Sequence, residues 1–431
     1  MKKSLITLAA FAALLPGPAL AQTSVEQRLE ALQREIDRLK DEVSRLRAQQ
    51  AAPASTPSAP AAPAPAAQSA AASTSPSPES QEPATSIFGY GEFNYNRYRD
   101  DERTTKADLR RFVFGFGHNF NDRLSFNSEV EFEHGVVSNT DQGEAEIEQA
   151  YLNYKFSDAV NVKGGLFLVP LGILNVTHEP PTFYGVERNE VETRIIPTTW
   201  RELGVGVHGL IGQGFRYDVG VTTGFNAGKL DDPSFGIRSA HQEGQLADAR
   251  DLSIYGALNY RSPGWLVGGG FFTGNTGQNG QANPLLKGVA AKLKLWDLHA
   301  KYSGHGWDLQ ALYAAGTLGD ADRINAALLA TSATPFAAPR SLKGWYGQAA
   351  YHLYRQGDLD FAPFVRFEGY RIEQQEDPAN GLLQDPNNFE RVRTIGFNLR
   401  IHPQVVIKAD VQRYGTDRTK DRLNLGLGYM F

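Results

Sequence analysis

The chain has 431 residues, of which 41% are hydrophobic and 21% are charged, with a formal net charge of −5 at pH 7. This length can bury a large core, and the mildly acidic charge gives no argument for nucleic-acid binding. The absence of cysteine excludes disulfides, zinc–thiolate sites and thiol nucleophiles. Beyond residue 21, no apolar run approaches the roughly 18 residues expected of a transmembrane helix.

The N-terminus has the three parts of a secretory signal peptide. Lys2 and Lys3 supply the positive charge, residues 4–15 are mostly apolar, and Ala19-Leu20-Ala21 provides the small residues of a cleavage site. We therefore predict that residues 1–21 are removed and that the mature chain begins at Gln22, outside the cytoplasm.

Residues 22–47 carry the heptad pattern of a short coiled-coil helix. The apolar residues alternate in spacing between four and three: Val25, Leu29, Leu32, Ile36, Leu39, Val43 and Leu46. With Ile36 at position a, Glu35 and Lys40 attract each other between parallel helices, so the pattern predicts parallel self-association in the periplasm. The β-branched a positions favour a dimer, but we expect a trimer if the following domain dominates assembly. A single amphipathic helix is the alternative.

Residues 48–85 are almost entirely Ala, Pro, Ser, Gln and Thr. This composition offers too little apolar surface to offset the entropy of the chain, so we predict a disordered and partly extended linker. It would act as a periplasmic tether or as an inert spacer.

Residues 86–431 have the pattern of an all-β meander. We predict sixteen antiparallel strands: 86–99, 107–120, 123–135, 144–156, 160–170, 203–211, 214–225, 251–261, 264–273, 286–302, 306–317, 341–355, 359–372, 390–402, 404–415 and 421–431. Short turns such as Asn121-Asp122 and Gly212-Gln213 alternate with long polar loops. This asymmetry is typical of an outer-membrane β-barrel, and sixteen strands leave a water-filled channel.

The alternation within each strand predicts which side chains face the membrane. Phe112, Phe114 and Phe116 would contact outer-membrane lipid, while Arg111 would face the lumen. The same parity places more charges in the lumen: Glu129, Glu131, Glu133, Lys163, Lys292, Lys294, Arg366, Glu368, Lys408 and Asp410. Charges on one face and aromatic residues on the other suit a water-filled pore better than the alternative of a soluble β-sandwich.

The alternation stops between residues 171 and 203, where three prolines lie among Arg, Glu and aromatic residues. We predict that this segment folds into the lumen as a constriction, where side-chain charge decides which ions pass. The candidate constriction and solute-binding residues are Lys163, Glu187, Arg188, Arg194, Arg201 and Arg366. Arginines that point into the pore would favour anions, since two N–H groups of one guanidinium can bind phosphate or carboxylate together. Arginines paired with loop glutamates would only support the loop.

Two predicted strands are unusually acidic and carry Glu129, Glu131, Glu133, Glu144, Glu146 and Glu148. These carboxylates would attract cations or bind a divalent ion if they were unpaired. Pairing with nearby arginines such as Arg110 and Arg111 is the simpler expectation.

The last strand places Leu423, Leu425, Leu427, Tyr429 and Phe431 on one face, and the chain ends on that aromatic residue. The pattern is similar to the C-terminal signal that the barrel assembly machinery recognises. We therefore expect this machinery to be a partner of the chain.

The order of signal peptide, heptad helix, low-complexity linker and sixteen-stranded barrel resembles the phosphate-selective porin O and P family. Residues 164–172 (GGLFLVPLG) and 183–188 (FYGVER) look like that family's strand into the third loop. The resemblance implies a homotrimeric outer-membrane porin with an inward-folded third loop, through which ions and small polar solutes diffuse. Members selective for phosphate carry a ladder of arginines, for which Arg188, Arg194 and Arg201 are candidates here, although five loop glutamates accompany them.

Enzymatic functions are not supported by the sequence. The 9 histidines lack metal-ligand spacing, and no nucleophile elbow or Walker-type phosphate loop is present, so we expect neither an enzyme nor a metal or other cofactor. The alternative to a porin is a structural anchor whose coiled coil spans the periplasm. Conductance in a planar bilayer distinguishes the two, because a blocked anchor does not conduct.

Overall fold

The structure is a computed structural model that describes residues 38, 84–100, 103–232 and 235–431. The predicted signal peptide lies outside the described residues, as do the coiled-coil helix except Arg38 and the linker up to residue 83. Within the described part, no helix is both long enough and apolar enough to cross a membrane.

The described chain forms one closed antiparallel sheet. Its strands are β1 (Thr85–Tyr98), β2 (Lys106–Asn119), β3 (Leu124–Glu133), β4 (Glu144–Lys155), β5 (Asn161–Leu168), β6 (Arg201–Ile211), β7 (Phe215–Thr222), β8 (Ser253–Ser262), β9 (Trp265–Asn275), β10 (Lys292–Gly304), β11 (Trp307–Leu318), β12 (Pro339–Tyr351), β13 (Tyr354–Gln356), β14 (Leu359–Gln374), β15 (Phe389–His402), β16 (Val405–Tyr414) and β17 (Arg422–Met430). Each strand pairs with its neighbours, and β1 closes the barrel on β17 from Tyr90–Met430 to Tyr98–Arg422. Because β12 and β13 follow one another along the same edge of β14, the wall has the sixteen strand positions that we predicted.

Short turns join the strands at one rim and long loops join them at the other. The tightest turns at the first rim have two residues each and are 263–264, 305–306, 357–358 and 403–404. Gly264 adopts a φ of +77°, which residues with a Cβ rarely accept. The long loops include 169–200, 223–252 and 319–338, which contain the helices α1 (Val191–Arg194) and α2 (Ala321–Thr331).

The two faces of the wall differ as the alternation predicted. On β2, Arg111 and Val113 are buried on the lumenal side and Phe116 is exposed on the outer side. The predicted lumenal positions of Lys163, Arg366, Glu368, Lys408 and Asp410 are confirmed, since all five side chains are buried inside the barrel.

The prediction was wrong for Lys292 and Lys294. Both are exposed on the outer face of β10, together with Trp296, whereas Leu293 and Leu295 face inward. The inner face of β10 is apolar because long loops pack against it. The lysines lie at the long-loop end of the strand, where their stems cover the wall and their ammonium groups reach water.

A hydrophobic core fills one side of the lumen. It joins residues of loop 169–200 to the inner faces of β8–β12 and to the other long loops, and it extends to Tyr370 and Ile372 of β14, Val392 of β15 and Tyr414 of β16. Trp200 is fully buried at its centre, with ring centroids 4.5 Å from Phe272 and 5.1 Å from Phe225. The polar cavities described below lie mainly beside β1–β4 and β17, because the opposite side is packed.

Candidate constriction site

The segment 169–200, here called the inner loop, runs through the barrel lumen between β5 and β6. Its polar contacts reach distant strands: Gly172 N to Asp297 Oδ2 on β10 (3.0 Å), Tyr184 Oη to Asp308 Oδ2 on β11 (2.7 Å), Val186 N to Asp410 Oδ2 on β16 (2.7 Å), and His178 Nε2 to Glu148 Oε1 on β4 (2.7 Å). The inner loop is therefore attached to opposite sides of the wall and narrows the channel.

Glu192 stabilises the conformation of the inner loop through hydrogen bonds to its side-chain carboxylate. Its carboxylate is fully buried, and Oε1 accepts hydrogen bonds from the backbone N–H of Ile173 (2.6 Å) and Leu174 (2.7 Å). Oε2 accepts from Asn189 Nδ2 (3.0 Å) and from Tyr346 Oη of β12 (2.8 Å). A buried carboxylate is tolerated here because four donors replace its lost hydration.

Two buried lumenal cations bind the backbone of the inner loop. Arg366 donates from Nη1 to Tyr184 O (3.1 Å) and from Nη2 to Glu187 O (3.3 Å), while its Nε pairs with Glu368 (2.8 Å). Lys408 Nζ donates to Gly185 O (2.8 Å). Arg366 thus uses its guanidinium to support the loop.

Three more predicted site residues are engaged in ion pairs. Lys163 Nζ lies 2.6 Å from Asp218 Oδ2, Arg194 pairs with Glu190 one turn away, and Arg201 Nη2 lies 2.5 Å from Glu146 Oε2 and its Nη1 3.1 Å from Glu243 Oε1. The fourth, Glu187, accepts a hydrogen bond from Asn96 Nδ2 (2.9 Å).

Arg188 differs from these residues because part of its guanidinium is unused. Nη1 donates to the hydroxyls of Thr198 (3.1 Å) and Thr199 (3.4 Å), but Nε and Nη2 are buried with no hydrogen-bond partner among the described residues. Burial and the neighbouring Arg111 lower the pKa of Arg188 to about 10, so the group remains charged at neutral pH. Nε and Nη2 form the side-on fork that suits a bidentate oxyanion.

Arg188 lines a cavity of about 260 Å³ between the inner loop, β1, β2 and β17, here called the basic cavity. Its ionisable lining residues are Glu92, Arg110, Arg111, Glu133, Glu187, Arg188, Glu190, Arg238 and Arg422. Arg111 is neutralised by Glu92 (2.9 Å) and Glu133 (3.3 Å), and Glu190 by Arg194.

Four guanidiniums of the basic cavity make no ion pair with a described residue. Arg238 Nη1 donates to Thr198 O (2.8 Å), and Arg422 donates to Gln412 and Tyr98, which are uncharged partners. Arg110 and Arg188 complete the set. Counted over the whole lining, five arginines stand against the four carboxylates of Glu92, Glu133, Glu187 and Glu190, so the described lining has one more cation than anion. The cavity therefore has a surplus of positive charge.

A larger cavity of about 1170 Å³ leads from the long-loop rim to the basic cavity. The two share the lining residues Arg110, Glu187, Glu190 and Arg422. The shared boundary thus carries the two guanidiniums of Arg110 and Arg422 and the two carboxylates of Glu187 and Glu190, whereas Arg188 lines the basic cavity alone.

The acidic side chains of β3 and β4 border a third cavity, of about 330 Å³. Arg111 pairs with Glu131 (3.1 Å) and Glu133, so the simpler expectation is confirmed for these two glutamates. Glu146 pairs instead with Arg201, and Arg110 makes no ion pair with a described residue. Burial and the neighbouring Arg238 and Arg201 lower the pKa of His241 in this cavity to about 3, which keeps the imidazole neutral. Among the described residues, no group of three or more His, Asp or Glu side chains is arranged to hold a metal ion.

Sequence reasoning missed Arg238 and Arg422 as lining residues. The alternation of β17 contained the signal for Arg422, because Leu423 faces outward and its neighbour must then face the lumen. Arg238 lies in the aperiodic loop 223–252, which offers no pattern from which its position follows.

Comparisons with known proteins agree with this architecture. The family described as phosphate-selective porin O and P matches residues 87–431. An uncharacterized protein of Aquifex aeolicus (strain VF5) is 30% identical over 355 residues, which cover 80% of each chain.

Several similar solved structures are outer-membrane channels or porins. Salmonella typhi OmpF in complex with daunomycin is 12% identical with a TM-score of 0.56, over 80% of this chain and 97% of that chain. The DcaP channel of Acinetobacter baumannii is 12% identical with a TM-score of 0.53, over 80% and 97%. An anion-selective porin from Comamonas acidovorans is 11% identical with a TM-score of 0.51, over 80% and 99%. Identities this low establish a shared barrel fold alone.

Proposed function

Since the chain belongs to the phosphate-selective porin O and P family, and is thus an outer-membrane porin for passive diffusion, we propose that its channel favours small oxyanions such as phosphate. The observation that carries the proposal is the unused Nε and Nη2 fork of Arg188. The side chain of Arg188 lines a cavity in which three further guanidiniums, those of Arg110, Arg238 and Arg422, have no ion pair with a described residue.

The arrangement suits a passing anion rather than a permanently bound one. Arg110 and Arg422 line both the outer cavity and the basic cavity, so an anion moves between them and Arg188 without crossing an uncharged gap. Conduction requires several sites of moderate affinity, because an ion bound too tightly would block the channel. The carboxylate of Glu187 beside these arginines lowers the affinity of the site.

The first test is the reversal potential of the purified protein in a planar bilayer under a potassium chloride gradient. We expect an anion-selective reversal potential, and we expect phosphate titrated at constant ionic strength to reduce the chloride current. Perchlorate is the matched control, since it carries charge but accepts weaker hydrogen bonds. A cation-selective channel, or one that phosphate does not affect, would contradict the proposal. A protein that inserts without conducting would support the structural anchor.

We also propose that the porin is a homotrimer, which the resemblance to its family implies. The outer faces of β3–β9 carry no charged side chain within these described strands, as expected of a wall buried between subunits. Beside this wall, Gly244 packs near Leu166 and Leu203, and the nearby Leu246 is 97% exposed. An apolar side chain so exposed at a loop tip fits a contact with a second copy.

Replacing Leu246 by glutamate is therefore expected to shift the trimer towards monomer in native mass spectrometry from mild detergent, because a buried charge would oppose the contact. Leu383→Glu is the matched control, since Leu383 is also an exposed loop residue, at 64%. Equal trimer fractions in the two variants would show that Leu246 does not lie at the subunit interface. A native protein that is monomeric would contradict the homotrimer proposal.

Three further proposals concern the N-terminal residues that lie outside the described ranges and the assembly of the barrel. We propose that the heptad helix at 22–47 lies in the periplasm and that the linker predicted for 48–85, whose last residue Thr85 is the first of β1, joins it to the barrel. We also propose that the barrel assembly machinery recognises the strand ending at Phe431. The outward faces of Leu423, Leu425 and Leu427 support the last of these.

A further inference from the structure

Exposed basic side chains are concentrated in one sector of the barrel's outer surface. Near the long-loop ends of β12, β14, β15 and β16, five side chains point away from the lumen and form what we call the basic band: Lys343, Arg371, Arg391, Arg393 and Arg413. Lys292 and Lys294 continue it on β10. The outer faces of β3–β9 have no counterpart in the described strands.

Like charges stand directly opposite one another within the basic band. In the strand register Lys343 is opposite Arg371, and Arg393 is opposite Arg413. Directly opposed like charges destabilise a sheet, so a sequence selected for stability alone would avoid them.

Few carboxylates compensate this charge. Glu373 lies 3.4 Å from Lys343 and 3.5 Å from Arg371, and the buried Asp421 lies 3.1 Å from Arg413. Arg391 and Arg393 have no ion pair with a described residue. The band therefore presents unneutralised guanidinium groups at the surface.

The position of the band matches the level of lipid headgroups. On the same outward faces, further from the long-loop rim, lie Trp345, Phe367, Ile395 and Val411, which are the apolar and aromatic residues expected against acyl chains. The guanidinium carbons of Arg371 and Arg391 both lie 5.0 Å from the ring centroid of Phe389, which orients the two cations.

We propose that the basic band binds a phosphorylated lipid of the outer leaflet, with its phosphates against Arg391 and Arg393 and its acyl chains on the apolar surface beside them. Charge complementarity favours this occupant, because Glu373 and Asp421 already compensate Lys343, Arg371 and Arg413, whereas Arg391 and Arg393 have no ion pair with a described residue. A second copy of the chain in a trimer would present a different face, and the described outer faces of β3–β9 offer no carboxylate to pair with the band. Arginine also matches phosphate in geometry.

The test measures binding of diphosphorylated lipid A to the detergent-purified protein by native mass spectrometry. In the triple variant Arg371→Gln, Arg391→Gln, Arg393→Gln we expect roughly 100-fold weaker binding, since each cation near anionic lipid contributes about a factor of five. The matched control is Arg123→Gln, Arg216→Gln, Arg355→Gln, which removes three exposed arginines near the short-turn rim. Single-channel conductance of the band variant should match that of the native protein, because its three residues face away from the lumen, and this verifies its fold.

Several outcomes would overturn the proposal. Equal lipid A binding by the band variant and the control variant would show that the basic band does not bind the lipid phosphates. The same conclusion would follow if the native protein bound lipid A without its two phosphates as tightly as diphosphorylated lipid A. Full displacement by inorganic phosphate would indicate a simple anion site without lipid recognition. Loss of the oligomer in the band variant, with lipid binding retained, would identify the band as a subunit interface.

Discussion

The variant Arg188→Gln is expected to lose most of the channel's anion preference and nearly all of its block by phosphate. The substitution keeps a polar but shorter side chain, and it removes the charge and the unpaired Nε and Nη2 of the guanidinium beside Thr198 and Thr199. Charge-assisted hydrogen bonds contribute about 1.5–3 kcal/mol, so we expect phosphate block to weaken by roughly 10- to 100-fold. Reversal potentials and phosphate titrations in planar bilayers measure both effects.

Two further variants separate charge from geometry. Arg188→Lys retains a cation without the planar fork, so anion preference should persist while phosphate block weakens. Arg97→Gln removes an arginine from the exposed outer face of β1 and should change neither quantity. If Arg188→Gln retained native selectivity and block, Arg188 would be a structural residue and the oxyanion site would have to lie elsewhere.

The variant Glu192→Ala is expected to release the inner loop and to raise the single-channel conductance. The substitution leaves four buried donors without their acceptor, those of Ile173, Leu174, Asn189 and Tyr346. Each unsatisfied buried donor costs about 1–3 kcal/mol, which is enough to favour a displaced loop. Larger sugars should then enter proteoliposomes containing the variant in a swelling assay.

Tyr346→Phe is the graded control for this prediction. It removes one of the four hydrogen bonds and should produce a smaller increase in conductance than Glu192→Ala. Heat-dependent gel migration would verify that both barrels remain closed. A native conductance in a correctly folded Glu192→Ala variant would mean that contacts such as Val186 N to Asp410 hold the inner loop without Glu192.

The identity of the paired arginines could not be predicted from the sequence. Arg188, Arg194 and Arg201 looked equivalent, since each lies among glutamates. Arg194 forms an ion pair with Glu190 one helical turn away, and Arg201 forms an ion pair with Glu243 in another loop. Among the described residues, Arg188 donates hydrogen bonds only to hydroxyl groups. Long-range pairing of this kind depends on how the loops meet in the lumen, which no local pattern encodes.

The sequence by itself determined the barrel, because strand alternation and turn length are local properties that decide which face of each strand meets lipid. Alternation predicted the outward Phe116 and the lumenal Arg366, and it failed at Lys292 and Lys294, where apolar loops cover the inner wall and reverse the usual distribution of charge. Only the tertiary structure decided which cations line the basic cavity. Arg238 arrives on a loop without periodicity, and the fork of Arg188 stays unpaired because the nearby carboxylates of Glu92 and Glu133 are bound to Arg111.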